Sequence, residues 1–242
     1  MSSPNSLQYF IGWDVGGWNC DKNAKSRDAI VILDADRKLV GRPWRKNLRT
    51  FLENSPTTKD WLLSLFRLCS ADIPHSEFQV TMAIDTPLGF STEFVELIAA
   101  GRISVPAHKS LDNKYLFRQT ERHLASLGWS PLSAIKDMIG SQATKGIHAL
   151  AKFAPRIEST GVWTDDKYLT VIETYPTVCR DVPPVRDWVA EHPPQSHEDI
   201  QDALVCAVVA SLFATAPENL ESPSAEVPKS EGWIWFPRNC EN

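Results

Sequence analysis

The sequence predicts one α/β domain in which helices cover a mixed β-sheet. Two observations support this. Three strand-like apolar segments follow one another at the start of the chain, and later strand-like segments alternate with helical patterns. The 242 residues, 43% of them hydrophobic, are enough for one large core. We therefore expect a single domain over residues 1–242, with five strands in the order β-β-β-α-β-α-β-α and several helices before the fifth strand.

Turn residues and proline delimit the five expected strands. Glycines follow the first strand, Asp34 and Asp36 open a turn after the second, and prolines stop the last two. The first three strands are close in sequence, which indicates an antiparallel meander. The expected strands are 8–17, 28–34, a segment starting at Leu39, 78–85 and 168–175.

Helical spacing of apolar residues predicts the remaining elements. One helix is expected at 57–69, and a long buried helix from Ser196, its expected N-cap, to about Ala214. Three helical patterns between the fourth and fifth strands predict a helical insertion or cap over residues 91–156. Residues 216–231 are rich in Pro, Ser and Glu and predict a flexible surface loop. We expect the GWIWFP segment that follows to dock on the body through its tryptophans.

Charge and cysteine usage exclude several classes of protein. The net charge of −5 argues against a nucleic-acid binder with a broadly basic surface, so nucleic-acid contact would need a local basic patch. The five cysteines contain no CxxC pair, which argues against a disulfide framework and a structural zinc site. No apolar run reaches the roughly 18 residues of a membrane span, and the first residues lack a signal-peptide pattern. We therefore expect a cytoplasmic protein that does not associate with membranes.

Acidic residues at the ends of predicted elements are the candidate site. Asp14, Asp85 and Glu173 each follow an apolar run that predicts a strand, and Asp199 and Asp202 share one face in the first turn of the last helix. A carboxylate at the edge of the core is costly unless a cation or hydrogen-bond donors compensate its charge. Such a set fits hard divalent cations, which take oxygen ligands.

Each acid also has a simpler explanation. Asp14 precedes Val15-Gly16-Gly17 and could form a turn, and Asp85 in Asp-Thr-Pro could only stop a strand. Asp199 and Asp202 could compensate the helix dipole. The combined occurrence of the five acids favours a site over five separate local roles.

The chain resembles the ribonuclease H-like superfamily, and more closely the predicted-nuclease family catalogued as domain of unknown function 429. The resemblance rests on ordered short motifs: IGWDVGG, AIDTPLGF, FRQTERHLASLG, VIETYPTV, DIQDALVCAVVAS and EGWIWFP. It implies a five-stranded mixed sheet with the first three strands antiparallel. It also implies that Asp14, Asp85 and Asp202, with Asp199 beside it, hold Mg²⁺ or Mn²⁺. Glu173 matches the family's ETYP-like motif.

Basic residues could bind phosphate. Arg118 and Arg122 lie four residues apart within the FRQTER motif, so we expect both to face the site, although a solvated helix face explains them equally well. A second cluster follows the third strand at Arg42, Arg45, Lys46 and Arg49. His197 could activate water, but we favour a surface role.

These observations predict a metal-dependent hydrolase of phosphodiester bonds, acting as a nuclease on nucleic acid or on another phosphodiester. Two cations could activate water and stabilise the leaving oxygen. Two alternatives stay open. The Asp-x-Gly-Gly pattern after the first strand also fits a nucleotide-binding phosphotransferase of the actin-like or sugar-kinase class. The second alternative is a non-catalytic binding module with a ribonuclease H-like fold, although such a module would not need all five acids.

Overall fold

The computed structural model describes residues 7–104 and 110–238 and has an α/β fold, with helices on both faces of a mixed sheet. The strands are β1 (Leu7–Asp14), β2 (Asp28–Asp34), β3 (Trp44–Lys46), β4 (Phe78–Asp85), β5 (Arg156–Ser159), β6 (Val162–Thr164), β7 (Leu169–Thr174) and β8 (Ile234–Trp235). The α-helices are α1 (Arg49–Asn54), α2 (Thr58–Leu68), α3 (Thr92–Ala100), α4 (Gln119–Ser126), α5 (Gly140–Phe153), α6 (Pro176–Cys179), α7 (Val185–Ala190) and α8 (Glu198–Thr215).

The strand order across the sheet is β3-β2-β1-β4-β7-β6-β5, and β8 pairs with β7 beside β6. The first three strands are antiparallel as expected, and β4 and β7 run parallel to β1. The third strand lies later than predicted. Leu39 makes only an isolated bridge to Leu33, and regular pairing begins at Trp44. Gly41, with φ +74°, and Pro43 interrupt the segment between them.

The expectation of five strands is wrong, because the sheet has eight among the described residues. The three additional strands are β5, β6 and β8, with four, three and two residues. Strands this short carry too few positions for alternation of polar and apolar residues to be recognised. The strand predicted at 168–175 is β7.

Two apolar cores occupy the two faces of the sheet. On one face, α8 packs against Phe10 of β1, Ala83 of β4 and Ile172 of β7. On the other face, residues of α1, α2 and α5 pack against Trp13 and other side chains of the central strands. The rings of Trp61 in α2 and Phe153 in α5 stack with their centroids 4.4 Å apart. The sheet is therefore the middle of three layers.

Helix α8 approaches β1 unusually closely, and Gly12 is the residue that permits it. A Cβ atom at Gly12 would lie 1.8 Å from the carbonyl oxygen of Ala203 and 2.4 Å from the amide nitrogen of Ala207. The helix presents alanines at this point, so backbone packs on backbone. The contact fixes the depth of α8, and therefore the height of its first turn relative to the strand ends.

The predicted helices are present with shifted bounds. Within residues 91–156, the three expected helices are α3, α4 and α5, and the second of them, α4, begins at Gln119. The N-cap of α8 is His197 and not Ser196, because the Nδ1 atom of His197 accepts a hydrogen bond from the Asp199 amide at 3.1 Å. Within the expected insertion, α5 packs into the second core and is not a separate cap. By contrast, α3 has no buried residue.

The segment predicted as a flexible surface loop, 216–231, is anchored at three points. Leu220, Val227 and Glu231 are buried, which contradicts a segment lying wholly on the surface. The docking of the following segment is confirmed, since Trp233 and Trp235 are both buried. None of the helices described in residues 7–104 and 110–238 has the length and apolar character to span a membrane.

We predict that Gly12→Ala destabilises the fold by at least about 1–3 kcal/mol, the usual cost of overpacking, because the added methyl group overlaps the α8 backbone. Urea unfolding followed by circular dichroism measures this. Gly140→Ala is the matched control, because its nearest neighbour would be 3.7 Å away. Equal effects of the two substitutions would contradict the assigned packing.

Candidate functional site

Asp14 and Asp85 form the centre of the candidate site. They are the last residues of β1 and β4, which are adjacent and parallel, and they are register partners. Alternation along the strands places both on the face of Gly12 and Ala83, which is the face covered by α8. Among the residues described, neither carboxylate accepts a hydrogen bond or pairs with a cation in direct contact. Two carboxylates without a direct partner therefore lie side by side at the carboxyl ends of two central strands.

Their surroundings disfavour the ionised forms. Burial raises the pKa of Asp14 well above its usual value, and the charges of Asp85, Asp199 and Asp202 raise it further. Burial also raises the pKa of Asp85, with Asp202 and Glu173 adding to the effect and Arg180 opposing it. The acids at the start of α8 are thus near enough to the ends of β1 and β4 for their charges to act on Asp14 and Asp85.

The two acids of α8 have different partners. Asp199 is buried, and its Oδ2 atom accepts hydrogen bonds from the Arg45 Nε atom at 2.6 Å and the Arg27 amide at 2.9 Å. It ties the start of α8 to the segments around β2 and β3. The Oδ1 atom of Asp202 accepts a hydrogen bond from the Arg180 Nη2 atom at 2.9 Å. Asp202 is less enclosed than Asp199 and is held by this single arginine.

Glu173 occupies a different environment from the other acids. It lies on β7 in register with Ile84, so alternation turns its side chain toward the face opposite to Asp14 and Asp85. Its carboxylate accepts hydrogen bonds from the Arg118 Nη2 atom at 2.6 Å, the Arg118 Nη1 atom at 2.8 Å and the Leu88 amide at 2.8 Å. Glu173 is thus already paired, which disfavours it as an additional metal ligand.

The expected phosphate-binding role of Arg118 is wrong in this structure. The residue is only 2% exposed, and its guanidinium also binds the Glu121 carboxylate at 2.9 Å and the Glu231 carbonyl at 2.9 Å. The neighbouring carboxylates raise its pKa further above the usual range, so it stays charged. The Nη1 atom of Arg122 donates to the Phe117 carbonyl at 3.1 Å, beside this buried network. Arg118 is therefore a structural centre behind the site.

A second buried charge network holds the loop that follows Asp14, and the sequence did not indicate it. Lys145 of α5 and Asp28 of β2 form an ion pair with both side chains 0% exposed. The Asp28 carboxylate also accepts hydrogen bonds from the Trp13 indole at 3.1 Å and the Gly16 amide at 3.0 Å. The Lys145 ammonium donates to the Gly16 carbonyl at 3.3 Å. The pair thereby holds the Trp13 side chain before Asp14 and the Gly16 backbone after it.

A cleft of about 170 Å³ opens beside the acids. Asp14, Asp85 and Glu173 border it, and most of the remaining wall is apolar. The other lining residues are Val15, Ser26, Thr86, Pro87, Pro131, Leu132, Ile139, Gln142, Thr174, Tyr175 and Ile234. A separate cleft of about 220 Å³ at the opposite end of the strands is lined by Gln8, Gln79, Thr81 and their neighbours, and none of the predicted site residues borders it.

The remaining predicted features have structural roles or lie outside the described residues. His197 caps α8 through its ring nitrogen. Arg45 of the second basic cluster binds Asp199. Cys20, Cys69, Cys179 and Cys206 are buried, whereas Cys240 and the basic residue Lys109 lie outside the described residues.

Comparison of the chain with protein-family models, curated proteins and solved structures finds no match.

We predict that Asp14→Asn stabilises the protein in EDTA, and more so at pH 8 than at pH 4. Because the folded-state pKa values of Asp14 and Asp85 are raised, the unfolded chain ionises first as the pH rises, and the free energy of unfolding falls. Removing one charge relieves this loss. Thermal unfolding across this pH range measures it, with the exposed Asp36→Asn as control. A difference in melting temperature that does not grow with pH would refute the assigned repulsion.

Lys145→Met is predicted to cost about 3–5 kcal/mol, because it leaves the Asp28 carboxylate buried without its cation. Adding Asp28→Asn to that variant should recover part of the loss, since the buried charge is then absent. Chemical denaturation of the wild type, both single variants and the double variant measures this coupling. A double variant as unstable as the sum of the two single variants would show that the residues do not interact.

Proposed function

We propose that this protein is a divalent-cation-dependent hydrolase of phosphodiester bonds, a nuclease of the ribonuclease H-like type. The observation that carries the proposal is the register pair of unpartnered carboxylates, Asp14 and Asp85, at the ends of two adjacent parallel strands. Ligands of open α/β sheets gather at such strand ends. The acids repel each other in the protein alone, and a cation between them would remove that cost.

The sheet supports the ribonuclease H-like assignment. The resemblance implies three antiparallel strands followed by strands parallel to the first, and β3-β2-β1-β4-β7 has this arrangement. It also implies an acid on the first strand, an acid on the fourth and an acid on a late helix. Asp14, Asp85 and Asp202 occupy these positions. The hairpin of β5 and β6 and the short β8 are additions to this pattern.

The residues present fit a Mg²⁺ or Mn²⁺ ion in part. Asp14 and Asp85 offer free oxygen donors, and the hydroxyl of the buried Thr86 beside them has no hydrogen-bond partner within the described residues. The third expected ligand is engaged, because Asp202 binds Arg180. Across residues 7–104 and 110–238, no three His, Cys, Asp or Glu side chains form a preassembled metal-binding group. Asp202 would therefore have to leave Arg180 to complete the site.

A cation held by Asp14 and Asp85 would activate a water molecule and stabilise the leaving oxygen of a phosphodiester. The chain supplies positive charge of its own in Arg180. This arginine lowers the pKa of Asp85 through its charge while it binds Asp202, so it lies close to both acids. Its Nε atom is buried without a partner among the described residues. We assign Arg180, in place of Arg118, to the binding and orientation of the substrate phosphate.

The phosphotransferase alternative receives less support from the loop after β1. In that class the Asp-Gly loops meet phosphate. Here the Gly16 amide donates to the Asp28 carboxylate, and the Gly16 carbonyl accepts from Lys145. The loop is therefore bound to the interior of the protein.

We expect the wild type to cleave a nucleic acid or another phosphodiester in the presence of Mn²⁺ or Mg²⁺. Asp14→Asn should reduce the rate at least about 100-fold. Loss of a residue that only supports a metal ligand costs about 10–100-fold, and loss of the ligand itself should cost more. The assay compares single-stranded, duplex, hybrid and junction substrates with bis(p-nitrophenyl) phosphate, a generic phosphodiester. Asp36→Asn is the control for loss of a carboxylate, because its side chain is exposed on a turn.

The same variants distinguish a real site from a contaminant. Mn²⁺ should raise the melting temperature of the wild type and of Asp36→Asn, and raise that of Asp14→Asn less. Equal cleavage by all three proteins would assign the activity to a contaminant. Absence of cleavage together with stabilisation by ATP would support the phosphotransferase instead.

A further inference from the structure

The cleft beside the acids has the chemistry of a pocket for one flat ring. Its walls are largely apolar, and the acids lie at one border. The apolar walls are formed by Pro87, Pro131, Leu132, Ile139 and Tyr175. Leu132 is 48% exposed, so part of this apolar surface faces solvent. Binding pockets combine such walls with a few polar groups that fix orientation.

Three uncharged polar side chains of the cleft, those of Ser26, Thr86 and Gln142, make no hydrogen bond within the described residues, whereas Thr174 donates to the Trp235 carbonyl. Thr86 is 5% exposed, and its Oγ1 atom has no hydrogen-bond partner within the described residues. The side chains of Ser26 and Gln142 also make no hydrogen bond within the part of the chain that the structure describes. A carboxamide offers two donors and an acceptor oxygen, the complement of the polar edge of a nucleobase. The buried Thr86 hydroxyl adds a cost that a ligand could remove.

The size of the cleft limits its occupant. Pockets for drug-sized ligands occupy roughly 300–1,000 Å³, and this one measures about 170 Å³. That space suits a single ring system. A sugar carries hydroxyls on both faces and matches the apolar walls poorly, whereas a nucleobase has apolar faces and polar edges.

We propose that the cleft binds one unpaired nucleobase of the substrate and thereby positions the adjacent phosphodiester at Asp14 and Asp85. The proposal rests on the proposed function and deepens it by naming the substrate class. A base stacked within a continuous duplex cannot enter the cleft, so the substrate is single-stranded, or has an extruded nucleotide, at the point of cleavage.

Binding is tested without catalysis, on the full chain in EDTA with Leu and Ile methyl groups labelled for NMR. Adenosine and uridine carry no charge, so they avoid repulsion by the acids, and both should shift the methyl signals of Leu132 and Ile139. Ribose at the same concentration should leave these signals unchanged. Equal shifts with ribose, or no shift with either nucleoside, would overturn the proposal.

A matched pair of variants assigns the binding to the cleft. Leu132→Ser should weaken nucleoside binding about tenfold, because apolar contact area is lost. Leu111→Ser is the control, since Leu111 is 50% exposed and does not line the cleft. Equal weakening by both substitutions, or by neither, would reject the cleft as the binding place.

Cleavage kinetics separate this proposal from the hydrolytic function. An oligonucleotide with an abasic site beside the cleaved bond should show a KM raised about tenfold relative to the intact strand. Equal KM values would overturn the base pocket and leave hydrolysis standing. Nucleoside binding with no Mn²⁺-dependent cleavage would support the pocket and count against the hydrolytic function alone.

Discussion

The contact between α8 and β1 at Gly12 determines how the candidate site is assembled. Only a residue without a Cβ atom lets the helix backbone lie against the strand at this distance. The helix is buried on nearly every side from Ile200 to Leu212, so it cannot rotate or slide without breaking the first core. Its first turn is consequently held at the level where β1 and β4 end. Asp202 is thereby held near enough for its charge to raise the pKa of Asp14, which lies almost 190 residues earlier in the sequence.

Two buried ion networks stabilise the structure near that contact. Lys145 and Asp28 fix the loop after Asp14, and Arg118 fixes Glu173 on the far face of the sheet. Both cations also bind backbone carbonyls. Ionic groups that are fully surrounded in this way resist displacement, since moving one partner leaves the other uncompensated. Asp14 and Asp85 differ from these groups because no described cation or hydrogen-bond donor is in direct contact with them. That difference distinguishes the candidate site from the structural ion pairs.

The sequence predicted the parts of the site that depend on local pattern. Strand ends are visible from apolar runs and breakers, so Asp14 and Asp85 were found, and helical spacing located the acids of α8. The prediction that Arg118 faces the site assumed a helix that includes both Arg118 and Arg122. Arg118 instead precedes the first residue of α4, so helical spacing does not determine where its side chain points. The sequence did not indicate that Lys145 is buried, because a lysine in a helix is normally solvated. Its burial depends on Asp28, 117 residues away.

The network around Arg118 is assembled from distant parts of the chain. Its guanidinium binds the carboxylate of Glu173 and the carbonyl of Glu231, and the Glu231 carboxylate accepts hydrogen bonds from the first residues of α3 and α4. Ile234 and Trp235, which follow shortly after, pair with β7. A ribosome makes this segment more than 100 residues after Arg118, at roughly 5–20 residues per second. Until Glu231 has been made, Arg118 can bind Glu121 and Glu173 but lacks its third buried acceptor, so the wall behind the acids cannot close before that point.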